Sequence, residues 1–204
     1  VRAHATVTFQ AAKLGLASPS APEYTGRLHI RSIGLPLSVR HSHPPRHWGL
    51  TPRLASILPP AKPDTHKGRT GRVLAAGGSI GMTGALRLSG LGALRGGAGL
   101  ATLAAPGGFA HRLNAGIPEL MTLPLGDASQ WSAEAAHILA PHLPEYNALV
   151  LGPGLGRDVN AMDFAALVAR QTRPPTVFDA DALYCLANNP ELRERPTPDD
   201  IMTP

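Results

Sequence analysis

An α/β fold built on a mainly parallel sheet is predicted for residues 67–204, and three observations predict it. Short apolar runs alternate there with segments of helical periodicity. Three of the runs end in a glycine cluster or an acidic pair, the places where open α/β sheets put their ligands. Composition agrees: 43% of residues are hydrophobic but only 4% aromatic, so the core must rest on Ala, Leu, Val and Ile. The 22 Gly and 21 Pro follow no short repeat, which points to tight turns and glycine-lined sites rather than a fibre.

The elements follow in order. Ala5–Phe9 alternates β-branched and small residues as a strand does, and residues 28–33 form a second strand candidate. Residues 36–63 are rich in Pro, His and Arg, the composition of an interdomain linker, with one apolar patch at 54–58 that suits a single helical turn. Arg72–Ala76 reads as a strand running into Gly77-Gly78-Ser79, followed by a helix over 85–95, a glycine-rich turn at 96–99 and a strand over 100–104. A helix is expected over 132–139, with Ser132 as N-cap. Ala148–Leu151 is a buried-type strand, 161–170 a helix, Thr176–Phe178 a strand, 181–187 a short helix, and Ile201–Met202 opens a further strand.

Charge and cysteine bound the function. Residues 1–73 carry 11 Lys/Arg against 2 Asp/Glu, and residues 74–204 carry 8 against 12. The basic front has its charges scattered singly among Pro and His without an aromatic platform, so no nucleic-acid partner is expected. Cys185, alone and inside an apolar stretch, reads as a buried structural thiol in a reducing compartment. No run of about 18 apolar residues is present, so no membrane partner is expected and the expected location is the cytoplasm. The chain begins without Met and stops just as an apolar run opens, and both ends read as cut.

Four groups of residues could carry chemistry. Gly77-Gly78-Ser79-Ile80-Gly81-Met82-Thr83-Gly84-Ala85 lies between a strand and a helix, where bare backbone and free N–H groups favour an anion; a merely tight turn is the alternative. No Gly-Lys-Ser/Thr follows, so it is not a P-loop. Ser79 could be a nucleophile only with a base that the sequence does not identify. Gly152-Pro153-Gly154-Leu155-Gly156 puts three glycines in five positions after a buried strand, more than a structural turn needs, and suits ligand contact. Asp179 and Asp181 either cap the following helix or face a metal or hydroxyl at the rim of the site. Lys67 either meets a phosphate or is solvated. His41, His43, His47 and His66 lack a regular ligand spacing and read as linker composition, so no metal ligands are assigned.

In order and spacing, His66-Lys67-Gly68, the 77–85 loop, Ala93-Leu94-Arg95-Gly96-Gly97-Ala98-Gly99-Leu100, the 152–156 loop and Asp179-Ala180-Asp181-Ala182-Leu183 resemble the ADP-dependent NAD(P)H-hydrate dehydratases. The resemblance covers about residues 47–204. Upstream, residues 3–9 with Lys13-Leu14-Gly15, Glu23-Tyr24-Thr25-Gly26 and Ile33-Gly34-Leu35-Pro36 look like the end of an NAD(P)H-hydrate epimerase domain, with His4 where an acidic residue is expected. The resemblance implies a division into an epimerase tail (1–38), a linker (39–63) and the front of a dehydratase domain (64–204). It implies a ribokinase-like sheet with helices on both faces, incomplete here, preceded by the end of a Rossmann-like α/β epimerase domain.

The implied activity is removal of water from the S form of NADHX or NADPHX, coupled to ADP, with epimerisation of R and S forms by the upstream domain. ADP is the implied phosphoryl donor with Mg2+ as its ion, and K+ is a candidate ion for the epimerase. By position, Gly84, Ala85, Gly152, Gly154 and Gly156 should contact the hydrated nucleotide, with Lys67, Ser79, Asp179 and Asp181 at the rim. Thr203-Pro204 resembles the start of a Thr-Pro-His segment, and the general base, an Asp, is expected beyond Pro204, so the chain alone should be inactive. A homo-oligomer is expected of the full-length protein. Two other readings stand beside this one: a ribokinase-like kinase of a vitamin precursor, which would lack the epimerase-like tail, and a non-catalytic nucleotide-binding remnant. With half the domain absent, Phe178 and the strand ends near it should lack part of their cover.

Overall fold

The computed structural model describes residues 2–44, 46, 47, 49 and 70–203. The chain divides into two compact units, Val1–Pro60 and Ala61–Pro204.

In the first unit, strands β1 (Ala5–Phe9) and β2 (Arg27–Arg31) pair in parallel. Parallel neighbours need a crossover, and here a 3-10 turn (Leu14–Leu16) and the short helix α1 (Pro22–Thr25) supply it. Gly26 turns the chain from α1 into β2 at φ +57°, and a Cβ there would lie 2.3 Å from the His4 carbonyl oxygen. Helix α2 (Leu37–Ser42) falls inside the stretch expected to be linker. The apolar patch at 54–58 lies outside the described residues.

The second unit carries six parallel strands: β3 (Arg72–Ala76), β4 (Leu100–Pro106), β5 (Leu120–Leu125), β6 (Ala148–Leu151), β7 (Thr176–Phe178) and β8 (Ile201–Met202). Their spatial order is β5-β4-β3-β6-β7-β8. The chain builds outward from β3 through β4 to β5, then returns to the other side of β3 as β6. The strand order therefore reverses between β3 and β6, a topological switch point.

Both faces of this sheet are covered, as expected. Alternate residues of one strand point to opposite faces: Leu74 and Ala76 join one buried cluster, and Ala75 joins the other. Helices α5 (Ala133–Leu139), α6 (Val159–Arg170) and α7 (Asp181–Asn188) pack on the first face through Leu139, Phe164, Ala165, Val168 and Leu186. Helix α3 (Thr83–Arg95) and the turn α4 (Gly107–Ala110) pack on the second through Leu86, Phe109 and Ala110. Gly90 eases the close approach of α3, since a Cβ there would lie 2.7 Å from the end of the Leu103 side chain. Ser132 caps α5 by accepting from the Ala135 N–H, as its position in the sequence suggests. Cys185 is buried among α7, α6 and Asn189, and burial pushes its thiol above the ordinary value.

Phe178 does not lack cover. It is fully buried, with the Arg173 guanidinium 4.8 Å above its ring. That arginine is itself anchored by Asp200, which joins the start of β7 to the turn before β8. Beside it, Ile201 and Met202 of β8 are exposed.

Candidate nucleotide site at the switch point

The two glycine loops read from the sequence lie side by side. Residues 77–82 leave the carboxyl end of β3, residues 152–156 leave the carboxyl end of β6, and these strands flank the switch point. Three hydrogen bonds zip these strand ends and loops together. The Gly152 N–H donates to the Ala76 carbonyl (3.0 Å) and the Gly78 N–H to the Pro153 carbonyl (2.8 Å). The Ser79 hydroxyl donates to the Gly154 carbonyl (3.0 Å). From behind, Trp131 Nε1 donates to the Gly78 carbonyl (2.9 Å), its indole buried and tilted onto Phe164 with ring centroids 4.1 Å apart. Ser79 is thus a tie between loops, and its hydroxyl proton is directed at a carbonyl rather than at a base.

Gly152 is required by its surroundings: at φ +115°, a Cβ would sit 2.1 Å from the Asp179 carbonyl oxygen. Gly154, at φ +63°, would place a Cβ 2.3 Å from the Met82 carbonyl oxygen. Gly84 differs. A Cβ there meets nothing within 4 Å, and both Gly84 and Ala85 are exposed in the first turn of α3. That turn has no side-chain cap and no acidic residue, so no side chain offsets its first N–H groups or its positive dipole end. A glycine that no neighbour demands, at an uncapped helix start beside a second bare loop, suits a ligand lying against the backbone.

The third strand end completes the rim. Asp181 does not cap α7; its carboxylate accepts from the Gly156 N–H (3.0 Å) and from Arg157 Nε (2.7 Å), and Arg157 in turn stacks on Tyr184, 4.5 Å from the ring centroid. Asp181 is therefore a clamp on the end of the 152–156 loop. Asp179 accepts from the Thr203 hydroxyl through Oδ1 (2.5 Å), while its main chain joins β6 to α7. Between them Ala180 holds φ +45°, a conformation that side chains with a Cβ avoid. The turn carrying the acidic pair is thus forced by its partners. Lys67 lies outside the described residues.

Magnesium demands octahedral oxygen ligands and usually arrives with the phosphates of a nucleotide. Among the described residues no group of three or more His, Cys, Asp or Glu could hold a metal. The carboxylates of Asp179 and Asp181 are engaged by Thr203, Gly156 and Arg157 as described. The donor set present does not form a metal centre by itself.

Sequence reasoning missed one part of this end of the sheet. Gly107 and Gly108, opening α4, press on residues 126–129, with the Gly108 N–H donating to the Ala128 carbonyl (2.9 Å). The only signal was a Gly-Gly pair after an apolar run, and the Pro124 in β5 hid the neighbouring strand.

A family model described as NAD(P)H-hydrate dehydratase matches residues 73–204. This chain belongs to that family. The bifunctional NAD(P)H-hydrate repair enzyme Nnr of Moorella thermoacetica is 40% identical over 192 residues, covering 93% of this chain and 36% of the relative. Its counterpart from Coxiella burnetii is 38% identical over 209 residues, covering 100% of this chain and 39% of the relative. The chain thus spans well under half the length of these relatives, and the likeness runs through both units. The human ATP-dependent (S)-NAD(P)H-hydrate dehydratase is 35% identical, covering 76% of this chain and 45% of the relative.

Solved structures agree on the fold. A ribokinase-like superfamily protein from Enterococcus faecalis superposes with a TM-score of 0.56 over 71% of this chain and 51% of its own, at 24% identity. The ADP/ATP-dependent NAD(P)H-hydrate dehydratase of Bacillus subtilis, co-crystallised with ATP and Mg2+, gives 0.50 over 64% of this chain and 44% of its own, at 28% identity. Fold class and family therefore stand as the sequence suggested. No helix among the described residues is long and apolar enough to cross a membrane.

Proposed function

We propose that this chain supplies the hydrated-nucleotide side of an ADP-dependent (S)-NAD(P)H-hydrate dehydratase, carried by residues 64–204. Residues 1–38 are the end of an NAD(P)H-hydrate epimerase domain, and residues 39–63 join the two. One observation carries the reading: two bare glycine loops meet at the switch point of a parallel sheet beside an uncapped helix start. The full-length relatives are named as bifunctional repair enzymes and match both units of the chain. That likeness through residues 1–36 favours this reading over a vitamin-precursor kinase.

The chemistry is a dehydration made possible by phosphoryl transfer. The hydroxyl of the hydrated ring is a poor leaving group. Transfer of the terminal phosphoryl of ADP to that oxygen gives AMP and a ring phosphate ester; loss of phosphate with a ring proton restores the C=C bond of NADH or NADPH. Such a transfer depends on positioning and on charge stabilisation more than on covalent help from the protein. Magnesium brought with ADP would offset phosphate charge. The residues of this chain would do three things. The 77–85 loop and the start of α3 would bind and orient the hydrated nucleotide through backbone N–H groups. Gly152 and Gly154, where neighbouring backbone leaves no room for a side chain, would shape the loop beside the nucleotide, and Gly156 would leave its main chain open to it. Asp181 and Arg157 would hold that loop in place. The proton-abstracting base is expected in the sequence after Pro204.

The test is turnover by the full-length protein containing this chain. With ADP and Mg2+, (S)-NADHX should regain the absorbance of the reduced nicotinamide while AMP and phosphate appear in equal amounts. Absorbance recovery without ADP consumption, or no recovery at all, would overturn the proposal.

A further inference from the structure

Beside the 77–82 loop, on the side away from residues 152–156, lies a cleft of about 350 Å3. Its walls include Ile80, Gly81 and Thr83 from the β3–α3 connection, Gly108 and Arg112 from the region of α4, and Ser129. We propose that this cleft binds a phosphate-bearing end of the hydrated dinucleotide, with Arg112 as the phosphate-contacting side chain. The inference rests on the proposed function and names a second subsite for the same substrate.

Three observations carry it. The first is geometry: one loop separates the two sites. Ser79 and Met82 abut the 152–156 loop, through the bond to the Gly154 carbonyl and the close approach of Gly154 to Met82, while Ile80, Gly81 and Thr83 line the cleft. A dinucleotide lying across the loop would place its two halves on the two sides. The volume is at the small end of ligand sites, enough for one half of such a molecule.

The second is charge. Arg112 is exposed, and among the described residues its one side-chain hydrogen bond runs from Nε to the neighbouring His111, which leaves the terminal fork for a ligand. No acidic side chain lines the cleft. The hydroxyls of Thr83 and Ser129 add donors, and the uncapped start of α3 lies alongside. A planar fork with hydroxyl donors and no competing carboxylate is the chemistry of phosphate recognition.

The third is that the wall is built, not incidental. A Cβ on Gly108 would lie 2.2 Å from the Ser129 hydroxyl oxygen, so the glycine is what lets that hydroxyl reach the cleft. Arg87 of α3 donates to the Ala115 carbonyl (2.6 Å), fixing the segment that carries Arg112 against the helix.

The test uses the full-length protein and the variants Arg112→Ala and Arg112→Lys. Arg112→Ala should raise KM for NADPHX about tenfold, the cost of one charge-assisted contact, with kcat and KM for ADP unchanged and Arg112→Lys intermediate. A rise confined to NADPHX assigns the contact to the 2′-phosphate; an equal rise for NADHX assigns it to the pyrophosphate. Both support the subsite. Unchanged KM for both hydrates overturns it, as does a rise in KM for ADP alone, which would give the cleft to the other nucleotide. Direct binding of NADPH, a stable probe, to wild type and Arg112→Ala separates this inference from the proposed reaction. If wild type dehydrates nothing but binds NADPH, and the variant binds it about tenfold more weakly, the subsite stands while the reaction falls. Equal NADPH affinities overturn the subsite whatever the turnover.

Discussion

Gly152→Ala should destabilise the protein by about 4 kcal/mol or more, and in practice yield little soluble product. Two costs add. The backbone sits at φ +115°, and a Cβ would lie 2.1 Å from the Asp179 carbonyl oxygen, 2.6 Å from the Ala182 Cβ and 2.7 Å from the Ala182 nitrogen. None of these is the end of a flexible side chain. The Asp179 carbonyl accepts from the Ala182 N–H (3.0 Å), and the Asp179 N–H donates to the Leu151 carbonyl (3.0 Å), so relieving the clash would separate β6 from the start of α7. Gly97→Ala isolates the first cost. Gly97 has φ +105° with nothing within 4 Å of its would-be Cβ, and its replacement should cost only about 1 kcal/mol. Urea unfolding of the two variants decides the matter, and equal midpoints would show that Gly152 is not packed against the Asp179–Ala182 turn.

Asp200→Asn should cost about 3 kcal/mol, because it leaves the buried Arg173 guanidinium without its counter-charge. The pair is nearly sealed, with side-chain exposures of 5% for Arg173 and 1% for Asp200, and contacts of 2.8 and 3.0 Å. The carboxylate also accepts from the Thr176 and Thr197 N–H groups at 2.6 and 2.7 Å. Burial pushes the Asp200 carboxyl up, but the hydrogen bonds from Arg173, Thr197 and Thr176 outweigh it and hold the group at about 2, below its ordinary 3.8. A depressed carboxyl stabilises the fold above its unfolded value and loses that contribution as pH falls through the folded one. Wild type should therefore lose stability between about pH 4 and pH 2, and Asp200→Asn should show a flatter acid limb in urea midpoints measured against pH. An unchanged limb would mean that other carboxylates set the acid sensitivity.

The parts of this fold legible in the sequence were those whose apolar periodicity was uninterrupted. Arg72–Ala76, Ala148–Leu151 and Thr176–Phe178 are buried strands with abrupt ends, and each stands where its residues placed it. Strand β5 was hidden because Pro124 breaks the pattern; a proline is tolerated there because β5 is an edge strand. Helix α6 starts two residues before the stretch that its apolar periodicity predicts. Asp158 is its N-cap, accepting from the Ala161 N–H, and the exposed Val159 and the polar Asn160 disguise the first turn. The glycine loops were legible as unusual composition, but their pairing was not. Contacts such as Ser79 with Gly154 join residues 75 apart and arise only from strand order. Asp181 shows the limit of motif reading most clearly: helix cap and rim acid were both open from the sequence, and the carboxylate instead grips Gly156 and Arg157.

We propose that the bare backbone at the start of α3 is the nucleotide-binding face of the switch point. Gly84→Val tests it most directly. No neighbour of Gly84 lies within 4 Å of a Cβ, and valine has the better helix propensity, so the full-length variant should melt no lower than wild type. A branched side chain there would nevertheless stand in the proposed path of the hydrated nucleotide. The KM for NADHX should rise about tenfold or more, the equivalent of one displaced backbone contact, at unchanged melting temperature. A variant equally stable and kinetically indistinguishable from wild type would contradict it, because the substrate could not then lie against this turn.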